Sequence, residues 1–261
     1  MKKPSLESLG TDLLRTSAWE KLRCLALPFL TCPGFFIAGA YGWWALALLL
    51  AVLQSYFTYA SVSHDLVHRT LRLPAWLNEI LLCLIELMSF RSGHAFRTTH
   101  LHHHRTFPHD DDMEGAAAKM GFWRALLDGV TAQPRLWVWA LRHSKGRDRR
   151  WLIVEGAGIL VWACCCLLSP VGIAYLLITV AGSWVYPLMT SFMPHDASTD
   201  DPLRQTRLFR GKVVALLSCE HLYHLEHHLY PQVPHQRWPE LARRLDPYFE
   251  AQGLKPIILW R

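Results

Sequence analysis

Four apolar stretches, 24–40, 43–62, 151–169 and 171–193, contain no Lys or Arg, and Glu155 is the sole acid within them. Runs of this kind leave few folding solutions. Inside lipid every backbone N–H and C=O must be bonded within the chain, so about 20 consecutive apolar residues form a helix that crosses the bilayer. The chain of 261 residues is 51% hydrophobic and 18% charged, with its apolar positions clustered rather than spread. The sequence therefore predicts an all-α integral membrane protein. Its four transmembrane helices form two hairpins in a single domain covering 1–261, with no internal repeat.

Charge placement supplies an orientation, because Lys and Arg are retained on the cytoplasmic side. Five precede residue 24, thirteen lie between Arg69 and Arg150, and nine lie from Arg204 onward, whereas the hairpin tips near Gly42 and Pro170 carry none. Both termini and a cap made of 64–150 and 194–261 are thus expected in the cytoplasm. The first residues are too polar for a cleaved signal peptide. Leu6, Leu9 and Leu13 recur at helical spacing, which fits either an amphipathic helix on the membrane surface or a frayed tail. Residues 75–90, interrupted by Asn78, Glu79 and Glu86, are short for a crossing, and 116–142 reads as an interfacial helix broken near Pro134. The net charge of +6 suits membrane lipids and an acidic redox partner. No stacking-rich RNA motif or zinc finger accompanies it, so no nucleic acid is expected. The seven cysteines, three of them consecutive at 164–166, make no disulfide framework or CxxC metal motif and read as packing residues. Cys219 alone is a candidate for a redox role.

The cap carries an uncommon pattern of histidines. His64 and His68, in HDLVH, stand at i and i+4 just past the second apolar stretch. His100, His103 and His104 stand at i, i+3 and i+4, and His224, His227 and His228 repeat that spacing. On a helix each set shares one face. His195 follows the fourth apolar stretch and so falls at the depth of His64. These nine imidazoles exceed the four ligands of a structural zinc site, which implies two metal ions. Imidazole suits Fe, Zn, Cu and Ni. No Glu in the chain has a His three residues on, so the site is built on nitrogen rather than on the carboxylate pairs of soluble di-iron bundles. His102 and His221 lie beside these clusters, His221 being the better placed as a substitute ligand. Asp65, Asp196, Glu220 and Glu226 each adjoin one of these histidines and are candidates to orient imidazoles through the other ring nitrogen. The run Asp110 to Asp112 with Glu114 reads more simply as a solvated acidic loop. His94, His109, His143 and His235 read as surface or satisfied core residues. Trp43, Trp44, Trp184, Tyr186 and Trp238 read as interface anchors ahead of tunnel-lining residues.

HDLVH, HLHHH and HLEHH, with LYPQVP after the last, resemble the three histidine boxes of the membrane fatty acid desaturase superfamily, a resemblance covering roughly 64–241. Within it, PHDAS, Arg207, Arg210 and YHLEHHLYPQVPHQRW are similar to the carotenoid ring hydroxylases and ketolases. Acyl-CoA desaturases carry an Asn ligand upstream of the last box; no matching Asn stands here, which leaves that position to water or His221. The resemblance implies two Fe ions, O2 as co-substrate, and electrons from a ferredoxin or cytochrome b5 type carrier supplied ultimately by NAD(P)H. It also implies a long lipophilic substrate, a carotenoid or a fatty acyl chain. Attack on an unactivated C–H bond requires redox chemistry that zinc lacks. A basic cap including Arg204, Arg207, Arg210, Arg243 and Arg244 is expected to dock the electron carrier. A metal transporter or sensor is the contrasting class. Transport sites are expected near the middle of the spans, and the four apolar stretches hold no histidine.

Overall fold

The computed structural model describes residues 2–218 and 221–259. Cys219 and Glu220, the redox and orienting candidates, lie outside the described residues. Among the described residues nine helices carry the architecture: α1 (Ala18–Ala40), α2 (Trp44–His68), α3 (Ala75–Met88), α4 (Gly93–Thr106), α5 (Phe122–His143), α6 (Gly146–Cys166), α7 (Pro170–Phe192), α8 (His224–Leu229) and α9 (Trp238–Ala251).

Thr11–Ala40, Trp44–His68 and Pro170–Phe192 are long and apolar enough to cross a membrane. Helix α6, which holds the expected third span, is not among them. Arg147, Asp148, Arg149 and Arg150 fill its first turn, and Glu155 interrupts the apolar run beyond them. Glu155 is nevertheless turned inward, accepting hydrogen bonds from the Ser92 hydroxyl and the His94 backbone N–H. Its carboxyl therefore faces the core, while Leu160, Val161 and Leu168 on the same helix and loop are exposed. Leu30, Leu48, Leu49 and Leu177 stand exposed on α1, α2 and α7. An apolar outside of this extent is accommodated by lipid rather than by water.

The local chemistry sets the helix ends. Ser17 caps α1 with a capping box, its hydroxyl accepting from Glu20 N–H while the Glu20 carboxylate accepts from Ser17 N–H at 2.7 Å. Helix α2 stops one residue after His68, where Arg69 adopts a left-handed conformation at φ 57°. Ser92 caps α4 through Ala95 N–H. Pro134 does not break α5, which runs unbroken through it from Phe122 to His143; α5 passes so close to α7 that a Cβ on Gly129 would lie 1.7 Å from the Trp184 carbonyl oxygen. The seam between these helices requires glycine.

Two regions depart from the sequence-based expectations. Phe209–Arg210 pairs in parallel with Ile257–Ile258, so a two-residue ribbon ties the C-terminal segment to the stretch before the last histidine box. Leu9 and Leu13 are neither on a membrane surface nor frayed: they are buried in a cluster with Leu225, Trp238, Leu241, Leu245 and Phe249. The N-terminal segment is thus a strap across α8 and α9, further held by the Arg244–Asp12 ion pair at 2.7 Å. The cysteine run divides by its helix face, with Cys166 buried and Cys164 and Cys165 exposed.

Candidate metal centre

The histidines converge because three helices end at one level. Two π-helical turns, Leu53–Phe57 and Tyr59–Ser63, directly precede His64, and a third, Pro187–Phe192, precedes His195. Each π turn inserts one residue and resets which face the next turn presents. Helix α4 then brings His100, His103 and His104 alongside, and α8 closes the cluster with His224, His227 and His228.

The imidazoles sort into two foursomes. His64, His68, His100 and His227 form one, and His103, His195, His224 and His228 form the other; within each, one ligand atom per residue lies within 4.8 Å of the rest. In the first group His64 Nε2 stands 3.1 Å from the Nε2 atoms of both His100 and His227. In the second, His195 Nε2 lies 3.0, 3.1 and 3.3 Å from those of His103, His228 and His224. His104 belongs to neither foursome alone. Its Nε2 is 3.1 Å from that of His100 and 2.8 Å from that of His227, while its ring centre is 4.3 Å from that of His228.

These contacts fit metal ions and fit little else. His195 Nδ1 lies 2.9 Å from the Ser191 carbonyl, which accepts only, so the ring's proton sits on Nδ1. His103 Nδ1 likewise donates to the Asp112 carboxylate at 2.6 Å. With its outer nitrogen protonated, the neutral His195 ring directs a bare Nε2 lone pair at the point where the other Nε2 atoms of its group converge, a place where a cation would resolve the repulsion. Spacings of 3.0 to 3.3 Å match the roughly 3.0–3.4 Å expected between two nitrogens sharing an ion at the usual bonding distance. Burial, with the neighbouring imidazoles, pushes His100, His104, His195, His224, His227 and His228 below the ordinary histidine range. Neutral imidazole is the form that binds metal.

The acids that face these rings are not the ones adjacent in sequence. Asp65 turns away from His64 and His68 to hold His235 at 2.7 Å. Asp196 closes its own turn on Ser198, and Glu226 pairs with Arg210 at 2.8 Å. On a helix a neighbour in sequence points some 100° away, so adjacency places Asp65 and Glu226 off the histidine face. The outer partners come from the acidic run instead. Asp112 accepts from His103, and Glu114 lies 2.7 Å from His100 Nδ1. Burial works against ionisation of Asp112, yet His103 and the backbone N–H groups of Gly115 and Glu114 hold its carboxyl below the usual range. Burial pushes Glu114 up to about 8. Asp112→Asn is expected to weaken metal retention by about 10–100-fold, the effect of losing an outer partner. Metal content after timed dialysis against a chelator measures it; unchanged retention would contradict the role.

His221 stands outside both foursomes, its ring centre 5.2 Å from that of His64 and 6.1 Å from that of His224. Of the histidines set aside as structural, His94 and His235 are buried with carboxylates and His109 and His143 are exposed. Tyr186 and Trp238 are core residues rather than interface anchors. The Trp238 indole packs 4.9 Å from the ring of His227 and 5.4 Å from that of His64, sealing the first group. The arginines expected to form a docking face are largely engaged within the chain. Arg207 donates to the Phe192 and Met193 carbonyls, Arg210 pairs with Glu226 and Asp246, and Arg243 and Arg244 pair with Glu240.

The family model described as fatty acid desaturase matches residues 41–260. The chain is also 22% identical to dihydrorhizobitoxine desaturase of Bradyrhizobium elkanii over 230 residues, covering 74% of this chain and 65% of that protein. It therefore spans somewhat under two thirds of that relative's length.

Proposed function

From the premise that this chain belongs to the fatty acid desaturase family, we propose that it is an O2-dependent membrane di-iron oxidoreductase acting on C–H bonds of a long lipophilic substrate. One observation carries the reading: two foursomes of buried and half-buried imidazoles lie side by side, joined by His104. His64, His68, His100 and His227 would hold one ion, and His103, His195, His224 and His228 the other. Iron held by these rings would supply the redox chemistry that O2 activation requires. The chain's own part is to orient the rings through Asp112, Glu114 and the Ser191 carbonyl, and to exclude water with Trp238, Tyr59 and Phe96. In this reading α6 also crosses the bilayer, giving four spans with both termini and the metal centre on the cytoplasmic side. Electrons come from a ferredoxin or cytochrome b5 type carrier.

The substrate we favour is a carotenoid ring, hydroxylated or ketolated. The support is the segment from PHDAS to YHLEHHLYPQVPHQRW. A second reading, desaturation or hydroxylation of a fatty acyl chain, is favoured by the family description and by the desaturase name of the relative. Expression in a bacterium that accumulates β-carotene, with pigments and fatty acid methyl esters analysed from the same cells, separates them. More polar pigments are expected. An altered acyl profile with untouched pigments would transfer the assignment to the acyl substrate, and no change in either would count against both.

A further inference from the structure

Where the N-terminal strap meets α9, a surface groove of about 740 Å³ is lined by four arginines, Arg15, Arg237, Arg243 and Arg244, and by the acids Asp12 and Glu240. The acids hold much of this array in place. Arg244 lies 2.7 Å from each of Asp12 and Glu240, Arg243 donates to Glu240 at 2.6 and 2.9 Å, and Arg237 reaches Glu20, just outside the groove, at 2.9 Å. Glu20 brings the acids to three against four arginines, so one positive charge is unmatched. Since each acid is taken by another arginine, the exposed Arg15 is the cation left without a carboxylate among the described residues. Donors remain on the paired arginines too, because a guanidinium carries five N–H groups. Arg243 turns Nε and Nη2 to Glu240, which leaves Nη1 without a partner among the described residues, and 72% of its side chain is exposed.

The groove lies at the level where α1 begins. Arg237 donates to the Arg15 carbonyl at 3.0 Å and to Glu20 in the first turn of that helix, and just beyond, Trp19 and Leu22 stand exposed ahead of the apolar run. Tryptophan at the head of a span marks the boundary between headgroup and hydrocarbon. A basic site at that depth meets lipid phosphates before it meets a soluble protein. We propose that the groove binds the phosphodiester headgroup of an anionic membrane phospholipid, with Arg15 and Arg243 as its chief donors. A phosphodiester carries one negative charge, equal to the unmatched cation, and its oxygens accept from a guanidinium fork. Arg15 belongs to the strap and Arg243 to α9, so a phosphate held by both ties the strap down over α8, the helix that carries His224, His227 and His228.

The test uses the full-length chain in a neutral detergent, titrated separately with phosphatidylglycerol, phosphatidylcholine and inorganic phosphate while thermal unfolding is followed by tryptophan fluorescence. Phosphatidylglycerol is expected to raise the midpoint to a plateau, and the other two to leave it in place. Arg15→Gln combined with Arg243→Gln should weaken the apparent affinity for phosphatidylglycerol roughly tenfold, the effect of losing two exposed charge contacts. Arg147→Gln combined with Arg149→Gln removes the same charge from the exposed start of α6 and should leave that affinity unchanged. No shift with phosphatidylglycerol, an equal shift with phosphatidylcholine, or an equal loss in the α6 control overturns the site. A shift reproduced by inorganic phosphate overturns the lipid as its ligand, and displacement of the lipid by a soluble acidic ferredoxin would reassign the groove to a protein partner.

Discussion

His227→Ala is expected to empty the first group of imidazoles and to abolish turnover. His227 links the first group to His104: its Nε2 lies 3.1 Å from that of His64 and 2.8 Å from that of His104. Its ring also stands 4.8 Å from that of His68. Removing it takes a nitrogen from one foursome and leaves His104 without the neighbour that holds it between the two. An outer partner is worth about 10–100-fold in metal affinity, and a direct ligand more than that. Iron per chain in the purified variant should fall by half or more, and product formation should drop below detection. The same cells report both through metal analysis of the detergent-solubilised protein and pigment or acyl analysis of the membranes. Full retention of iron and product would contradict the assignment of the nine histidines as ligands.

The second large effect is on stability and concerns Arg91 and Glu86, neither of which touches a histidine box. Both are buried. Arg91 Nε bonds Glu86 Oε2 at 2.6 Å, and its Nη1 donates to the Tyr186 hydroxyl at 2.7 Å. The rings of Tyr59 and Tyr186 flank the guanidinium at 4.9 and 5.0 Å. On the other side Ser63, the residue before His64, donates its hydroxyl to Glu86. Glu86→Leu or Arg91→Met leaves an unpaired charge where no water reaches, at a cost of about 3–5 kcal/mol. Replacing both together removes that charge, so the double variant should be more stable than either single one. Thermal unfolding in detergent, followed by tryptophan fluorescence, measures the set. Additive losses in the double variant would refute the coupling.

The apolar helices and the histidine faces were readable from the chain because both rest on local periodicity. Spacings of three and four residues put His100, His103 and His104 on one side of a helix wherever that helix packs. The same holds for three of the four runs without Lys or Arg, whose helices are long and apolar enough to cross a membrane. Other features had no such local signature. Pro134 passes through α5 without breaking it, although proline is a usual helix stop. Nearness in sequence points to Asp65, Asp196 and Glu226 as partners of the imidazoles, whereas the fold sets Asp112 and Glu114 against them. Asp112 reaches His103 only because the turn after α4 folds back.

Spacing thus put imidazoles on shared helix faces, since a helix imposes its period on whatever residues it carries. How nine rings divide into two foursomes with His104 between them, which carboxylates steady them, and that Asp65 meets His235 depended on packing. Those pairings join residues up to 170 positions apart, as from Asp65 to His235. The approach of helices remote in sequence is governed by shape and burial across the whole molecule, which no short window of the chain encodes.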